Sequence, residues 1–207
     1  MTVPETARGA AGTARERILE TAYDLFSRHG TRAVGVDTIV AESGVAKMTL
    51  YRNFTSKDAL ILAFLARREE RWTRAWLQAE VQRRADTPAE RMLAIFDVFG
   101  QWFERNDFEG CSFINVMLEI DDRDSPVRQA SVGHLAAIRG FVRELAEEAR
   151  VPQAKADHVA RQWHLLMKGS IVAAAEGDHD AAARAKELGA LLLERLGVLE
   201  PAPPDRL

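Results

Sequence analysis

The sequence predicts an all-α protein of about nine helices, and two observations lead to this prediction. Apolar residues recur at helical spacing along nearly the whole of the 207-residue chain. Strand signals are scarce, because few β-branched runs alternate with period two and no Asn-Gly hairpin turn occurs. The helical pattern divides into a group of short helices at the N-terminus and a longer group after it.

Composition favours a cytoplasmic protein. Hydrophobic residues make up 47% of the chain and charged residues 29%, which are ordinary values for a soluble globular domain. The single Cys111 excludes an internal disulfide and suits a reducing compartment. No apolar run approaches the roughly 18 residues that a membrane span needs, and the N-terminus lacks the apolar core of a signal peptide.

Charge is distributed unevenly along the chain. The net charge is −3, but residues 1–74 carry 12 basic and 9 acidic side chains, whereas residues 75–207 carry 16 and 22. A mildly basic N-terminal part is compatible with contact to phosphates. The charge distribution permits a nucleic-acid partner without demonstrating one.

The first four helices are predicted from caps and periodicity. Thr13 and Glu16 form a capping-box pattern, and Gly30 is predicted to end the first helix. Its buried face comprises Ile18, Leu19, Ala22, Leu25 and Phe26. Two short helices follow at about 36–43 and 46–53, and the pattern TSKD at 55–58 opens a long helix.

The remaining helices are separated by proline and polar breaks. They are predicted after the DTP break at 86–88, at 113–120, from Pro126, from Pro152 to Gly177, and from Asp178 to about Gly197. The predicted domain organisation is a disordered arm (1–12), a first domain (13–58), a second domain (59–198) and a disordered tail (199–207).

Residues 36–53 match a helix-turn-helix with Gly44 in the turn. Val45, Leu50 and Phe54 can face inward and hold the second short helix. The side chains left facing outward are Lys47, Met48, Thr49, Tyr51, Arg52 and Asn53. Phosphates accept hydrogen bonds from hydroxyl and cationic donors, and base edges pair with Arg or Asn, so this face is typical of a DNA-binding helix. The alternative is a helical hairpin whose polar face is merely solvated.

The span from Arg15 to about Leu65 resembles the DNA-binding domain of TetR-family bacterial transcriptional regulators. The resemblance rests on the string ILETAYDLFSRHGTRAVGVDTIVAESGVAKMTLYRNFTSKDALI. It implies that Thr49, Tyr51 and Lys57 bind phosphates, and that Lys47, Met48, Arg52 and Asn53 lie on or beside base edges. Ala46, Gly35 and Met48 depart from the family pattern, since the first two replace helix-capping residues and the third replaces a small residue.

The resemblance also implies a regulatory role for the second domain. In this family that domain binds a small molecule and forms a homodimer, and ligand binding changes the separation of the two recognition helices. We therefore expect a repressor that is released from a palindromic operator in double-stranded DNA by a small-molecule effector. The resemblance implies no cofactor and no membrane partner.

Candidate residues for the effector pocket are mostly aromatic. They are Phe96, Phe99, Trp102, Phe103, Trp163, His164 and Met167, together with the segment 111–119, which includes Phe113, Asn115 and Glu119. An effector pocket requires a mostly apolar cavity with a few polar groups. Asn115 and Glu119 share one helical face and can orient a polar ligand group, although they can equally cap neighbouring helices or face solvent. The aromatic residues can also serve simply as core.

Two rows of small residues suggest a dimer interface. Gly169, Ala173 and Gly177 are four residues apart, as are Ala181, Ala185 and Gly189. Such rows let another helix approach closely, and a two-fold axis would double the pair into a four-helix interface. The alternative is that alanine simply favours helix.

Two other classes of protein remain as alternatives. An enzyme would use Cys111 as a nucleophile, but no adjacent base, phosphate cradle or cofactor motif accompanies it. A helical adaptor would keep the fold without binding DNA, and Ala46 at the cap position is the argument for it. No set of His, Cys, Asp and Glu residues has metal-ligand spacing, so we expect no metal site, and His134 and His164 are interpreted as core or surface histidines.

Overall fold

The structure is a computed structural model, and it describes residues 12–200. Every regular element in that span is helical, which confirms the all-α prediction. The chain divides into two compact units, the first ending at Phe64 and the second beginning at Leu65. The predicted boundary at 58/59 stands at the start of a helix, whereas this division falls inside it. The predicted arm and tail lie outside the described residues, apart from Gly12 and residues 199–200.

Counted as continuous rods, the described residues form nine helices. The first unit contains α1 (Ala14–Ala33), α2 (Val36–Ser43), α3 (Lys47–Asn53) and the start of α4 (Lys57–Arg68). Helical residues run on from α4 through a π-helical segment (Glu69–Gln78) into α5 (Ala79–Arg84). The later helices are α6 (Pro88–Phe103), α7 (Ser112–Glu119), α8 (Pro126–Glu148), α9 (Gln153–Ala175) and α10 (Ala181–Arg195).

Helix α1 forms as the sequence predicts. The Thr13 hydroxyl accepts a hydrogen bond from the Glu16 backbone N–H at 3.2 Å, which satisfies one of the free donors of the first turn. All five apolar residues of the predicted face are buried. Gly30 has φ 76° and interrupts the helix, and one further helical turn follows it to Ala33.

The core of the first unit gathers around Phe64. Its ring meets Tyr23 and Phe26 edge-on, with centroid distances of 5.5 Å in both cases. Ile18, Ile39 and Leu50 are fully buried. Each such side chain stabilises the fold by about 1.5–3 kcal/mol through burial.

The turn between α2 and α3 depends on Gly44. Its backbone is left-handed, with φ 64° and ψ 28°, a conformation that glycine adopts without steric cost. A Cβ at this position would meet no atom within 4 Å, so the backbone conformation rather than crowding accounts for the glycine.

Helix α6 is the central helix of the second unit and packs against α8, α9 and α10. It begins with a capping box, in which Glu90 N–H donates to the Thr87 hydroxyl at 3.3 Å and Thr87 N–H donates to the Glu90 carboxylate at 3.2 Å. The apolar stripe of α6 is almost entirely buried, and its buried residues are Met92, Ile95, Phe96, Phe99 and Trp102.

Six aromatic rings form a continuous cluster in this unit. They are Trp72, Trp76, Phe99, Trp102, Phe103 and Phe108, with neighbouring centroids 4.9–6.5 Å apart. Edge-to-face pairs of this kind add stability beyond that of area burial. Most of the aromatic residues considered for the effector pocket therefore contribute to the core.

Helix α7 is fixed at both ends by α8. The Arg128 guanidinium donates to the backbone carbonyls of Met117 at 2.5 Å and Ile120 at 2.7 Å, and so satisfies acceptors at the end of α7. Near the other end, the Phe113 ring stacks on His134 with centroids 5.0 Å apart. These contacts position the N-terminal part of α7, including Cys111 and Ile114.

Candidate functional site

Helix α3 presents one buried and one exposed face. Leu50 is fully buried, and Val45 and Phe54 on either side of the helix are buried as well. On the opposite face, Met48 is 67% exposed and Tyr51 is 41% exposed. Large side chains left open to water at both positions are unusual on a solvated surface and typical of a surface that meets a partner.

The seven residues predicted to bind DNA differ in accessibility. Lys47, Met48, Tyr51 and Arg52 are exposed, whereas Thr49, Asn53 and Lys57 are half-buried. The Asn53 side-chain amide donates to the Thr49 carbonyl at 2.8 Å, within the same helix. That bond uses one of the two amide protons of Asn53 and leaves its other donor and its acceptor oxygen available.

Asp37 belongs to the same surface, and the sequence analysis did not identify it. It lies in the first turn of α2, and its carboxylate pairs with Lys47 Nζ at 2.7 Å. The hydrogen bond that Lys47 donates to the Asp37 carboxylate, together with the negative charge of Asp37, raises the pKa of Lys47. Sequence spacing does not reveal this ion pair, because the two residues belong to different helices.

Neither α2 nor α3 has a side-chain cap. Gly35 and Ala46 occupy the cap positions and make no side-chain hydrogen bond to the first turn. A Ser, Thr, Asp or Asn at either position would stabilise its helix by about 1 kcal/mol. The two departures noted in the sequence therefore correspond to missing capping bonds in the structure.

A small cavity lies in the second unit. It is lined by Trp72, Phe99, Cys111, Ile114, Leu135, Ile138, His164, Met167, Lys168 and Ile171. Its volume of about 10 Å³ gives room for about one water molecule. Of the residues predicted to form the pocket, Phe99, His164 and Met167 line this cavity, as do Cys111 and Ile114 of the segment 111–119.

The other predicted pocket residues lie elsewhere. Phe96, Trp102, Phe113 and Trp163 are buried in the core. Phe103 packs in the aromatic cluster. Asn115 is exposed and its amide donates to the Glu109 carbonyl at 3.2 Å, while Glu119 is half-buried at the end of α7. None of these seven side chains is among those that line the cavity.

The polar groups of the cavity have shifted pKa values. Burial raises the pKa of the Cys111 thiol, so the thiol is protonated and a poor nucleophile. Burial lowers the pKa of Lys168, and the charge of Arg139 lowers it further. Burial also lowers the pKa of His164 from 6.5 to about 3, with contributions from Lys168 and Arg139.

We expect low pH to destabilise the protein through His164. Because its pKa in the folded state is depressed, the unfolded chain binds an extra proton below about pH 6.5. The stability that the fold gains by keeping His164 neutral is fully present above about pH 6.5 and is lost as the pH falls towards 3. At pH 5 the loss amounts to about 2 kcal/mol.

The measurement is urea unfolding at pH 7 and pH 5 for the wild-type protein, His164→Gln and the control His158→Gln. His158 is exposed on the same helix. His164→Gln should lose less stability between the two pH values than the other two proteins. Equal losses in all three would show that His164 is not held in the neutral form by the fold.

Large aliphatic side chains are exposed on α9 and α10. Leu165 and Val172 on α9, and Leu188 and Leu191 on α10, are each more than half exposed and are together called the apolar face below. The two helices pack against each other within the chain. Four large aliphatic side chains on adjacent helices form a patch of the kind that marks an interaction surface.

The small residues predicted for a dimer interface fall into two groups. Ala181, Ala185 and Gly189 are buried inside the second unit, where a Cβ on Gly189 would lie 2.7 Å from the Trp163 ring. This row thus allows α10 to approach its neighbours in the same chain. Gly169 lies exposed between Leu165 and Val172, Ala173 is half-buried, and Gly177 follows α9 with φ 98°.

Two further observations concern the described residues. None of their helices combines the length and apolar character that crossing a membrane requires. Nor do they contain a group of three or more His, Cys, Asp or Glu side chains placed to hold a metal ion.

The fold and the α3 surface define the class as a helix-turn-helix transcriptional regulator. Residues 18–64 match the family described as "Bacterial regulatory proteins, tetR family", and residues 88–188 match "Tetracyclin repressor-like, C-terminal domain". Together these matches span most of the chain. The protein belongs to the TetR family of DNA-binding transcriptional regulators, which confirms the resemblance seen in the sequence.

Individual relatives agree with this assignment. The HTH-type transcriptional regulator YjdC from Escherichia coli is 24% identical over 180 residues, which cover 84% of this chain and 91% of YjdC. SCO4454, a TetR-family regulator from Streptomyces coelicolor, has a TM-score of 0.80 at 28% identity and covers 90% of this chain and 91% of its own. A putative regulator from Streptomyces avermitilis (sav143) has a TM-score of 0.79 at 29% identity, and the match covers 90% of this chain and 99% of sav143.

Proposed function

We propose that this regulator is a homodimeric repressor that binds a palindromic operator through α3 and is released by a small-molecule effector bound in the second unit. The proposed DNA binding is supported by the exposed face of α3, where Lys47, Tyr51 and Arg52 are open to solvent and Leu50 is buried behind them. Cationic and hydroxyl donors on one short helix suit phosphates and base edges.

Within that face we assign two kinds of contact. Thr49 and Tyr51 supply hydroxyls to phosphates, and Lys57 at the start of α4 supplies a cation. Lys47, Met48, Arg52 and Asn53 lie on or beside base edges. Substitutions in the first group should weaken binding to all sequences, whereas those in the second group should change which sequences are preferred.

The apolar face of α9 and α10 supports the homodimer. A two-fold axis would place Leu165, Val172, Leu188 and Leu191 of one protomer against the same residues of the other, giving a four-helix interface. Two recognition helices in such a dimer contact half-sites about one helical turn apart, roughly 34–36 Å. DNA as the partner places the protein in the cytoplasm.

The cavity between α6, α7, α8 and α9 is the proposed effector site. It combines an apolar lining with a few polar groups, which is the usual chemistry of a small-molecule pocket. Its small volume means that an effector must displace side chains, and Met167, with three rotatable bonds, is the most adaptable of them.

A DNA-independent adaptor remains as a second candidate, because α2 and α3 both lack side-chain caps. The enzyme alternative is weakened by Cys111, whose buried and protonated thiol is unsuited to nucleophilic attack. Selection of fragments from the encoding genome by the purified protein separates regulator from adaptor. A regulator should retain a few fragments with nanomolar affinity, and an adaptor should retain none.

We expect Asp37→Asn to reduce discrimination between operator and random DNA. Asp37 repels phosphates and holds Lys47 in place through the ion pair at 2.7 Å. Once that pair is removed, Lys47 is free to bind any phosphate. The slope of log K against log salt on random DNA should steepen by about 0.9 for each new phosphate contact.

Filter binding on operator and random duplexes at several salt concentrations measures both quantities. Glu42→Gln is the matched control, because it removes the same charge from α2. If the two variants change the affinity for random DNA and its salt slope equally, net charge is the cause and the pair with Lys47 has no specific role.

A further inference from the structure

Three side chains that line the cavity of the second unit carry hydrogen-bond donors, namely Trp72, His164 and Lys168. Trp72 lines it, and the indole Nε1–H of Trp72 is buried without a hydrogen-bond partner. An indole N–H can only donate, and leaving it unpaired costs about 1–3 kcal/mol. A buried orphan donor beside a cavity indicates that an acceptor from outside the chain belongs there.

Two further side chains of the lining carry polar groups. His164 is 4% exposed and lies on α9. Lys168, one turn further along α9, is half-buried and has no carboxylate within ion-pair distance among the described residues. The lining itself contains no Asp or Glu.

The charge around Lys168 is also uncompensated. Arg139 on α8 acts on both Lys168 and His164, and each effect lowers the pKa of the group concerned. Arg139 also lowers the pKa of Asp157, but Asp157 is paired with Arg161 at 2.8 Å. Two positive side chains, Arg139 and Lys168, therefore act on a cavity whose lining holds no Asp or Glu.

The rest of the lining is apolar. Phe99, Leu135, Ile138, Met167 and Ile171 surround the space and offer no hydrogen bonds. A ligand that satisfies both parts must have an acceptor-rich negative head and an apolar body. One cation and two neutral donors match the single charge of a carboxylate better than the double charge of a phosphate.

We propose that this cavity opens to bind an apolar carboxylic acid, with its carboxylate on Lys168, Trp72 Nε1–H and His164 and its apolar body among Phe99, Ile138 and Ile171. The inference rests on the proposed function in that it names the effector class of the same site. Binding the acid gives all three groups a negatively charged acceptor at once. An alcohol carries no charge to pair with Lys168, and the positive charge of an ammonium group is repelled by it.

The experiment is isothermal titration calorimetry of the full-length protein, without DNA, using ligands matched except in the head group. The probes are octanoate, octanol and octylammonium, together with 3-phenylpropanoate, 3-phenylpropanol and 3-phenylpropylammonium. At least one acid should bind about tenfold or more tightly than its alcohol, since hydrogen bonds to charged groups contribute that much. The ammonium compounds should bind more weakly still.

Three variants locate the head group. Lys168→Met should bring the acid to the affinity of the alcohol, and Trp72→Phe should weaken the acid several-fold while the alcohol changes little. Lys155→Met is the matched control, because Lys155 is an exposed lysine on the same helix. Circular dichroism melting checks that each variant folds, and Lys168→Gln replaces Lys168→Met if the latter does not.

Three results would overturn the proposal. They are failure of both acids to bind at millimolar concentration, equal affinity for acid and alcohol, and an acid preference that survives loss of the Lys168 charge. DNA release is scored in a separate assay. An acid that binds at Lys168 but leaves DNA binding unchanged upholds the carboxylate site and counts only against the effector response of the proposed function.

Discussion

Tyr51→Ala is expected to lower the affinity for DNA by about 30-fold without affecting the fold. In the proposed complex the tyrosine hydroxyl on α3 donates to a phosphate, and a hydrogen bond at such a solvent-exposed interface contributes about 1 kcal/mol. A dimer makes the contact twice, so the loss is about 2 kcal/mol. Because the side chain is 41% exposed on the face opposite Leu50, the free energy of unfolding should change little.

The pattern of the loss identifies the phosphate contact. A phosphate contact carries no sequence information, so operator and random DNA should lose affinity by the same factor. The hydroxyl is uncharged, so the salt slope should stay the same. Tyr51→Phe, which removes only the hydroxyl, should reproduce most of the effect. If Tyr51→Ala leaves affinity for the operator intact, the phosphate assignment is wrong.

The double variant Leu165→Glu/Leu188→Glu is expected to produce a monomer and to lower DNA affinity by more than about 100-fold. These residues are two of the four exposed aliphatic residues of the apolar face, one on α9 and one on α10. A buried, unpaired glutamate costs several kcal/mol, and two-fold symmetry places every introduced charge in the interface twice. A monomer also binds only one half-site, so the gain from simultaneous contact with two half-sites disappears.

Sedimentation equilibrium gives the oligomeric state, and a gel shift gives the DNA affinity. Leu118→Glu is the matched control, because Leu118 on α7 is 67% exposed, close to the 69% of Leu165, and lies outside the face. The control should remain dimeric and bind DNA normally. A double variant that stays dimeric would show that the protomers meet through another surface.

The helix-turn-helix could be predicted closely because its signals are local. The expected helices at 36–43 and 46–53 correspond to Val36–Ser43 and Lys47–Asn53, and the glycine between them has the left-handed backbone that the turn requires. The inward positions of Leu50 and Phe54 follow from helical periodicity. The long helix is an exception in detail, since Ser56 rather than Thr55 accepts the capping hydrogen bond, from Ala59 N–H at 3.0 Å.

The structural features that could not be predicted from the sequence depend on contacts between helices. The pairing of Asp37 with Lys47 cannot be read from spacing, because it joins two elements. The row Ala181, Ala185 and Gly189 predicts close helix packing correctly in kind, but the sequence does not say whether the neighbour belongs to the same chain. Here Trp163 of the same chain occupies that space.

The residues that line the cavity could also be predicted only in part. Phe99, His164 and Met167 were predicted from the sequence as pocket residues, whereas Lys168 was not recognised as a cavity residue. Helix α9 buries one face and exposes another, so sequence alone does not show which polar residues point inward. The π-helical segment that carries Trp72 likewise has no clear signal in the sequence.

Two copies of α3 are predicted to bind one duplex together. The most direct test is hydroxyl-radical footprinting of the full-length protein on a fragment selected from the encoding genome. We predict two protected half-sites related by a dyad, with centres about one helical turn, or 34–36 Å, apart. A single unsymmetrical footprint, or protection that Tyr51→Ala leaves unchanged at the same protein concentration, would contradict the claim.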